Sequence, residues 1–353
     1  MSLQLASRTT ETLFQPRHVA VSRFPAAARK MAARGEIEVQ LEMRHAGTRA
    51  VTLRYERVGD PSLPVLFVAG GISANRHVGA SDQFSDAGWW QEQSGPGRAL
   101  DPAQHCILAF DWVGGDGTLD AVIDPVDQAT AVVALLDALG IARLSAFIGN
   151  SYGAMVGLHL AALHPRRVGR LVAISGFHRA HPYASAWRAL QRRAVALGAL
   201  QCDDSQGVAL ARQLAMLSYR TADEFDSRFG AAKVVNGRVQ VAAEDYLDHC
   251  GQQFADRVAA QAFVRLSESI DLQAVDPETV QVPVTVVAVA EDLLVPLADA
   301  YDLVQRLRGE TRLHVIHSRF GHDAFLKESR AIDGILREAL LDIAADADAE
   351  ALA

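Results

Sequence analysis

The stretch that decides the fold is GNSYG, residues 149–153. It follows a short apolar segment, 144–148, and precedes the apolar run 154–164, which has helical periodicity and ends at a proline. A serine between two glycines at a strand-to-helix turn is typical of a nucleophile elbow, where the glycines let neighbouring backbone approach closely. The helix start also presents backbone N–H groups that favour negative charge beside Ser151. We therefore predict that Ser151 is a catalytic nucleophile.

Apolar strands and helical segments alternate on both sides of this turn. The alternation indicates βαβ crossovers and a mostly parallel sheet. Together with the elbow it predicts an α/β-hydrolase fold, in which helices cover both faces of the sheet. The predicted strands are 36–43, 51–58, 64–69, 106–111, 144–148, 170–175, 284–289 and 311–316, the first two forming an antiparallel hairpin, and the main core helices are 124–140, 154–164 and 327–345.

The alternation of strand and helix breaks after residue 176. Residues 181–270 hold helix-like stretches without a convincing apolar strand, so we predict a helical cap above the carboxyl edge of the sheet. Residues 1–35 are polar and basic and are expected to form an N-terminal arm. The predicted domains are thus the arm, a core of 36–178 and 271–345, and a cap of 179–270.

The composition limits the classes of partner. The chain has 353 residues, half of them hydrophobic, a net charge of −8 and a pI near 5.8, which disfavours nucleic acid or an anionic membrane as a partner. No run approaches the roughly 18 apolar residues of a membrane span, and the N-terminus lacks the pattern of a signal peptide, so a cytoplasmic protein is expected. Three widely spaced cysteines indicate neither a disulfide framework nor a metal site.

A serine nucleophile needs a base, and the base needs an orienting acid. In this architecture the acid follows a strand in the second half of the sheet. Asp292 stands in that place after the strand 284–289, with Glu291 as the alternative and Asp299 farther along the chain. We predict Asp292 as the acid.

The base should be a histidine in the loop after the last strand. His322 lies in this loop and directly follows a glycine, whereas His314 and His317 lie within or at the end of the strand. We therefore predict His322 as the base of the triad.

An acyl-transfer reaction also needs donors for the oxyanion that forms on the attacked carbonyl. The buried strand 64–69 ends in two glycines followed by Ile72, whose backbone N–H could serve as one donor. The backbone N–H of Tyr152, directly after the nucleophile, is predicted as the other. Alternatively, the two glycines serve only to let the chain turn sharply where it leaves the strand.

Several stretches together resemble the homoserine O-acyltransferases of the α/β-hydrolase fold. The resemblance spans roughly residues 65–330, and its most specific part is the last one, because an aspartate directly after the catalytic histidine is uncommon in generic hydrolases. The stretches are GWW (88–90), GPGR (95–98), the elbow, RALQRRA (188–194), LSYRT (217–221), RFG (228–230), DYLD (245–248), GQQF (251–254) and FGHDAFL (320–326).

The resemblance implies an acyl-CoA donor, L-homoserine as acceptor and a step in methionine biosynthesis, with no cofactor beyond the CoA co-substrate. It also implies Arg192 and Asp323 as contacts to homoserine, a chemistry suited to the carboxylate and ammonium groups of an amino acid. A homodimer through the helical insertion is expected on the same ground. Arg188 and Arg193 slightly favour succinyl-CoA over acetyl-CoA, since they could meet a second carboxylate.

Two features depart from the family pattern. Tyr152 and Ala154 stand where the family usually has methionine and glycine, and the loop from Gly114 to Asp124 is shorter than in the family. Both lie near the expected path of the acyl group and the pantetheine, so the donor is less firmly implied than the triad.

Three other functions remain open from the sequence. One is a carboxylesterase or another α/β-hydrolase, and another is an acyltransferase that acts on L-serine. The third is a binding protein on an inactive hydrolase scaffold, which the complete set of serine, aspartate and histidine disfavours.

Overall fold

The computed structural model describes residues 18–20, 31–200 and 203–352 of the chain. Most of the predicted N-terminal arm, 1–35, therefore lies outside the described residues. In the described part of that stretch, His18–Ala20 forms a short strand, and the next strand already begins at Ala32. Both strands pair within the main sheet, which thus takes in residues before the predicted core boundary at 36.

The strands of the described residues are β1 (His18–Ala20), β2 (Ala32–Met43), β3 (Gly47–Val58), β4 (Val65–Ala69), β5 (Cys106–Phe110), β6 (Ala146–Asn150), β7 (Leu171–Ile174), β8 (Lys233–Val235), β9 (Arg238–Gln240), β10 (Val284–Val289) and β11 (Thr311–Ile316). All except β8 and β9 form one sheet in the order β1-β2-β3-β5-β4-β6-β7-β10-β11. The six strands β5, β4, β6, β7, β10 and β11 run parallel, and β1 to β3 add an antiparallel edge. The mostly parallel sheet predicted from the sequence is thus confirmed.

Helix α1 (Pro125–Ala138) begins at a sequence signal of the expected kind. At its start, the Asp124 side chain accepts a hydrogen bond from Val126 N–H, the Asp127 side chain accepts one from Asp124 N–H, and Pro125 occupies the first turn. Within the described ranges, no helix is both long and apolar enough to cross a bilayer. The helices are α1 (Pro125–Ala138), α2 (Tyr152–Leu163), α3 (Pro182–Ala199), α4 (Asp204–Tyr219), α5 (Ala222–Arg228), α6 (Ala242–Ala255), α7 (Ala260–Asp271), α8 (Leu297–Arg306), α9 (Ala324–Lys327) and α10 (Ser329–Leu352).

The buried strands present alternate side chains to two apolar layers. Phe67 and Phe147 stack with ring centroids 5.1 Å apart on the face covered by α1, α2 and α8. Their neighbours Leu66 and Ile148 point to the opposite face, where they pack with residues such as Ile332 of α10. Helices therefore cover both faces, as predicted, and the inner parallel strands read as nearly continuous apolar runs because neither of their faces meets water, whereas the edge strand β11 is only half-buried.

The helical insertion leaves the sheet between β7 and β10, which are neighbours paired from Leu171 and Val284 onward. Helices α3, α4, α6 and α7 pack partly around a small apolar core of their own, centred on Val208, Phe254 and Phe263. The sequence pattern predicted neither α5 nor the β8–β9 hairpin in this region. Helix α5 has only seven residues, of which Glu224 alone is buried, so it lacks an apolar periodicity. The hairpin strands have three residues each and expose their side chains, so they lack the apolar pattern of a buried strand.

Candidate active site

The turn between β6 and α2 holds Ser151 in a strained conformation, with φ 53° and ψ −116°. Its backbone N–H donates to the Ile174 carbonyl at 2.7 Å, which ties the turn to the neighbouring strand. A Cβ atom on Gly153 would lie 2.4 Å from the Ala69 carbonyl oxygen, and one on Gly149 would lie equally close to Gly153. The two glycines are therefore required by close backbone approach, and the turn presents Ser151 at the end of the sheet.

Ser151, His322 and Asp292 form a continuous hydrogen-bonded series. Ser151 Oγ lies 2.8 Å from His322 Nε2, and His322 Nδ1 lies 2.7 Å from Asp292 Oδ2. The other carboxylate oxygen, Oδ1, accepts hydrogen bonds from the backbone N–H groups of Leu294 and Val295 at 2.8 and 3.0 Å. The acid is thus fixed by its own loop, and the structure brings together the three residues that the sequence predicts as a triad.

The alternative acid and bases lie elsewhere. Glu291 bonds His317 Nδ1 at 2.9 Å and the Ser318 N–H at 2.8 Å, and the His317 side chain is 80% exposed. His314 lies 4.0 Å from Glu338, which is on α10. Glu291 and His317 thus pair with each other on the outer side of the loops that carry the triad, and His314 lies within β11, away from Ser151.

The electrostatic surroundings of His322 favour its protonated form. Burial alone lowers the pKa of a histidine, but the charge and hydrogen bond of Asp292 outweigh burial here, and Asp323 adds to them. The pKa of His322 is consequently raised above its usual value. A raised pKa suits a base that must hold a proton during the reaction and then return it.

The two predicted oxyanion donors lie on either side of Ser151. Ile72 lines the cavity in front of the serine, and a Cβ on its neighbour Gly71 would lie 3.8 Å from Ser151 Cβ. In the described part of the chain, neither the Ile72 N–H nor the Tyr152 N–H donates a hydrogen bond. Both groups are thus left for a ligand atom.

The Tyr152 side chain points away from the cavity. It is fully buried, its ring packs edge-on against Trp112 at 4.9 Å, and its hydroxyl shares a 2.6 Å hydrogen bond with Ser269 on α7. Burial raises the pKa of this phenol above its usual value. The departure from the family pattern at this position therefore links the elbow to the cap and does not enlarge or block the site.

A cavity of about 160 Å³ opens above Ser151 and His322, between the sheet and the cap. A larger chamber of about 710 Å³ adjoins it and shares Trp89 and Arg212 with it. Arg257, Asp111 and Asp116 also line this second chamber, and further arginines on its walls are Arg34, Arg54 and Arg76.

Arg192, which the resemblance implies as a homoserine contact, does not line the cavity. Its guanidinium bonds Ser267 Oγ at 2.9 Å and Asp271 at 2.7 Å, and Arg188 holds the same aspartate. These ion pairs join α3 to α7 within the cap. The structure therefore gives Arg192 a place in the cap's own packing and not on the cavity wall.

Arg212 is the cation that the sequence analysis missed. It lines both cavities, lies over the rings of Tyr219 and Phe254 at 5.4 and 5.0 Å, and has no carboxylate partner among the residues that the structure describes. A sequence signal existed, because this arginine interrupts the apolar stretch of α4. A half-buried arginine without a counter-ion is suited to bind an anionic ligand.

Asp323 lines the same cavity and belongs with His322 to the 3₁₀ helix Gly321–Asp323. The same cavity therefore contains Ser151, the Asp323 carboxylate of the core and, from the cap, the Arg212 guanidinium, which has no carboxylate partner among the described residues. Within the described residues, no group of three or more histidine, cysteine, aspartate or glutamate side chains could hold a metal ion. The prediction that no cofactor is required stays a prediction.

Comparisons with known proteins agree on the fold, and the relatives found include homoserine O-acyltransferases. A sequence profile of the α/β-hydrolase fold matches residues 64–329. A homoserine O-succinyltransferase from Xanthomonas campestris pv. campestris is 61% identical over 310 residues, which cover 88% of this chain and 84% of that protein. A homoserine O-acetyltransferase from Thermus thermophilus is 33% identical over 288 residues, 72% of each chain. The crystal structure of a Bacillus anthracis homoserine O-acetyltransferase has a TM-score of 0.80 at 19% identity, covering 88% of this chain and 98% of that one, and shows the shared fold.

Proposed function

Because the chain belongs to the homoserine O-acyltransferase family of α/β-hydrolase-fold enzymes, we propose that it transfers an acyl group from acyl-CoA to the hydroxyl of L-homoserine. The observation that carries this proposal is the cavity itself. Arg212, which has no carboxylate partner among the described residues, and Asp323 both line the cavity that holds Ser151, and they match the carboxylate and ammonium groups of an amino acid. A plain esterase does not need this pair of opposite charges.

The first half-reaction acylates the serine. His322 Nε2 takes the proton of Ser151 Oγ as the oxygen attacks the thioester carbonyl, and the backbone N–H groups of Ile72 and Tyr152 hold the resulting oxyanion. The carbon–sulfur bond then breaks, and the proton on His322 passes to the departing CoA thiolate. Asp292 keeps the imidazole oriented and stabilises its positive charge throughout.

The second half-reaction transfers the acyl group to the acceptor. His322 removes the proton of the homoserine hydroxyl, whose oxygen attacks the acyl-serine ester, and the proton returns to Ser151 when that ester breaks. Arg212 and Asp323 hold the two ends of the amino acid so that its hydroxyl faces the ester in preference to water. Arg212 takes the role first expected of Arg192, because Arg192 is committed to Asp271.

We propose succinyl-CoA as the donor, with acetyl-CoA as the alternative. Of the two arginines first considered for a second donor carboxylate, Arg193 is exposed on the surface, and Arg188 lines the cavity but is bonded to Asp271. Support for the succinyl group therefore comes from the relative that is 61% identical. The second chamber supports a CoA ester in general, since Arg257 on its wall has no carboxylate partner among the described residues and could receive the diphosphate, whereas Arg34, Arg54 and Arg76 are paired with carboxylates.

The setting of the enzyme is part of the same proposal. We propose a cytoplasmic enzyme of methionine biosynthesis that pairs as a homodimer through the cap, which acts as a lid over the core. Exposed leucines on the cap, such as Leu197 and Leu200 at 64% and 80% exposure, support a contact with a second copy.

The acyl-enzyme provides the test. Intact protein incubated with succinyl-CoA or acetyl-CoA, without acceptor, is expected to gain the mass of one acyl group on Ser151, and Ser151→Ala protein is expected to gain none. Addition of L-homoserine should discharge the adduct to the O-acyl amino acid faster than L-serine or water does. If neither donor leaves an adduct while simple esters are cleaved readily, the protein is a carboxylesterase and the proposal is wrong.

A further inference from the structure

Arg220 and Asp323 meet where the cap contacts the core. Asp323 directly follows His322 on the core, whereas Arg220 directly follows α4 in the cap. The Nε atom of Arg220 lies 2.9 Å from Oδ2 of Asp323, and the two residues are 9% and 8% exposed. Because the Nε–H does not point along this line, the contact is an ion pair and not a hydrogen bond.

The ion pair is the inner end of an alternating row of charges. Arg220 Nη1 donates to Glu224 Oε1 at 2.9 Å, and Arg228 Nη1 donates to the same oxygen at 2.9 Å. Glu224 is only 2% exposed, whereas the Arg228 side chain is 41% exposed. From the solvent to the cavity the charges therefore alternate, from the positive Arg228 through the negative Glu224 and the positive Arg220 to the negative Asp323.

This arrangement solves a problem of the acceptor site. A carboxylate this deeply buried needs a counter-charge, yet a carboxylate that is fully neutralised by an arginine attracts a substrate cation poorly. Glu224 also attracts the Arg220 guanidinium, from the side away from Asp323. Arg220 therefore fixes the position of the Asp323 carboxylate but neutralises only part of its negative charge. Among the described residues, Oδ1 of Asp323 has no hydrogen-bond donor and is left for a ligand.

We propose that Arg220 is a positioning residue for acceptor selection: with Glu224 behind it, it sets the direction and the free charge of Asp323 towards the ammonium group of the acceptor. The inference rests on the proposed function, since it requires an amino-acid acceptor. It goes beyond that function by assigning amine selectivity to a row of charges in the cap that does not itself touch the substrate.

The experiment compares two acceptors in Arg220→Gln and Glu224→Gln enzymes. One acceptor is L-homoserine, and the other is 4-hydroxybutyrate, which keeps the hydroxyl and the carboxylate but lacks the ammonium group. We expect each variant to raise KM for L-homoserine about 10-fold or more, as expected for a weakened charged hydrogen bond, while kcat/KM for 4-hydroxybutyrate changes less than about 3-fold. Arg220→Lys should restore part of the preference, and thiol release from acyl-CoA without acceptor should stay near the wild-type rate.

Arg265→Gln is the matched control. Arg265 also joins the cap to the core, through Asp120 at 3.0 Å from its Nε, but neither residue lines either cavity. It should leave the preference between the two acceptors unchanged.

Equal losses for both acceptors, or a parallel loss of thiol release, would mean that Arg220 merely holds the cap in place, and the positioning role would be refuted. That result leaves the proposed function standing. Wild-type enzyme that forms an acyl-serine but does not pass the group to L-homoserine would refute the proposed function, and the positioning role with it. Thermal unfolding of each variant separates a folding defect from either result.

Discussion

The two halves of the active site are built by different means. The catalytic half lies on the core, where strand ends and backbone hydrogen bonds fix Ser151, His322 and Asp292. The acceptor half lies mostly on the cap, where Arg212 and Arg220 owe their positions to aromatic rings and ion pairs between side chains. The difference teaches that the proposed catalytic groups are fixed by backbone geometry at the ends of strands, whereas the proposed acceptor groups depend on contacts between side chains.

The largest effect should come from the catalytic half. Asp292→Asn removes the carboxylate that orients the imidazole, so we expect thiol release from acyl-CoA to slow by about 10⁴-fold, as for other serine triads. Glu291→Gln is the control from the next position along the chain, and it should stay within about 3-fold of wild type because Glu291 bonds His317 and Ser318 on the outer side of the loop. A greater loss in the Glu291 variant would reassign the acid. The rate of the burst of thiol release from acyl-CoA in the absence of acceptor measures both effects.

Substitutions in the acceptor half should weaken the binding of L-homoserine and leave the acylation of Ser151 intact. Arg212→Gln is expected to raise KM for L-homoserine about 10- to 100-fold, since a charged hydrogen bond is worth about 1.5–3 kcal/mol, while acyl-enzyme formation persists. Arg192→Gln, which breaks only the contacts to Asp271 and Ser267, should change this KM less than about 3-fold. A larger rise in KM for L-homoserine in the Arg192 variant than in the Arg212 variant would mean that Arg192 binds the acceptor carboxylate. Steady-state kinetics with each substrate varied in turn distinguish the two.

The smallest effect tests how the halves communicate. His322 must be neutral to accept the serine proton, so activity falls as pH drops through its pKa, which Asp292 and, to a lesser degree, Asp323 raise. Asp323→Asn removes one of these negative charges, and we expect the acid limb of thiol release to move to lower pH. Asp299→Asn, in the same cavity but paired with Arg179, should leave that limb in place. A shift to higher pH in the Asp323 variant would contradict this electrostatic account.

Sequence reasoning worked best where a residue's role depends on its position in one segment. Ser151 could be predicted because a strand, two glycines and a helix surround it, and His322 because a loop follows the last strand. The choice between Arg192 and Arg212 could not be made in that way. It depends on which arginine has a carboxylate within reach, and the partner of Arg192, Asp271, lies far along the chain on α7.

The same distinction holds for the fold. The buried parallel strands and their covering helices follow from apolar runs that both faces of the sheet require. The cap was predicted as helical, but its shortest helix and its exposed hairpin left too weak a pattern in the sequence. Helix α10 extends past the predicted end at 345 because its alanine-rich sequence favours the helix even there.

The bond between Tyr152 and Ser269 joins the nucleophile turn directly to α7 of the cap. Both residues are buried, so removing either hydroxyl leaves the other without this partner. A serine in a helix can satisfy its hydroxyl on the preceding turn, so the serine tolerates the loss of the phenol more easily than the phenol tolerates the loss of the serine. A substitution at either position therefore acts on the nucleophile turn and on the cap together, although the two residues are 117 positions apart in the chain.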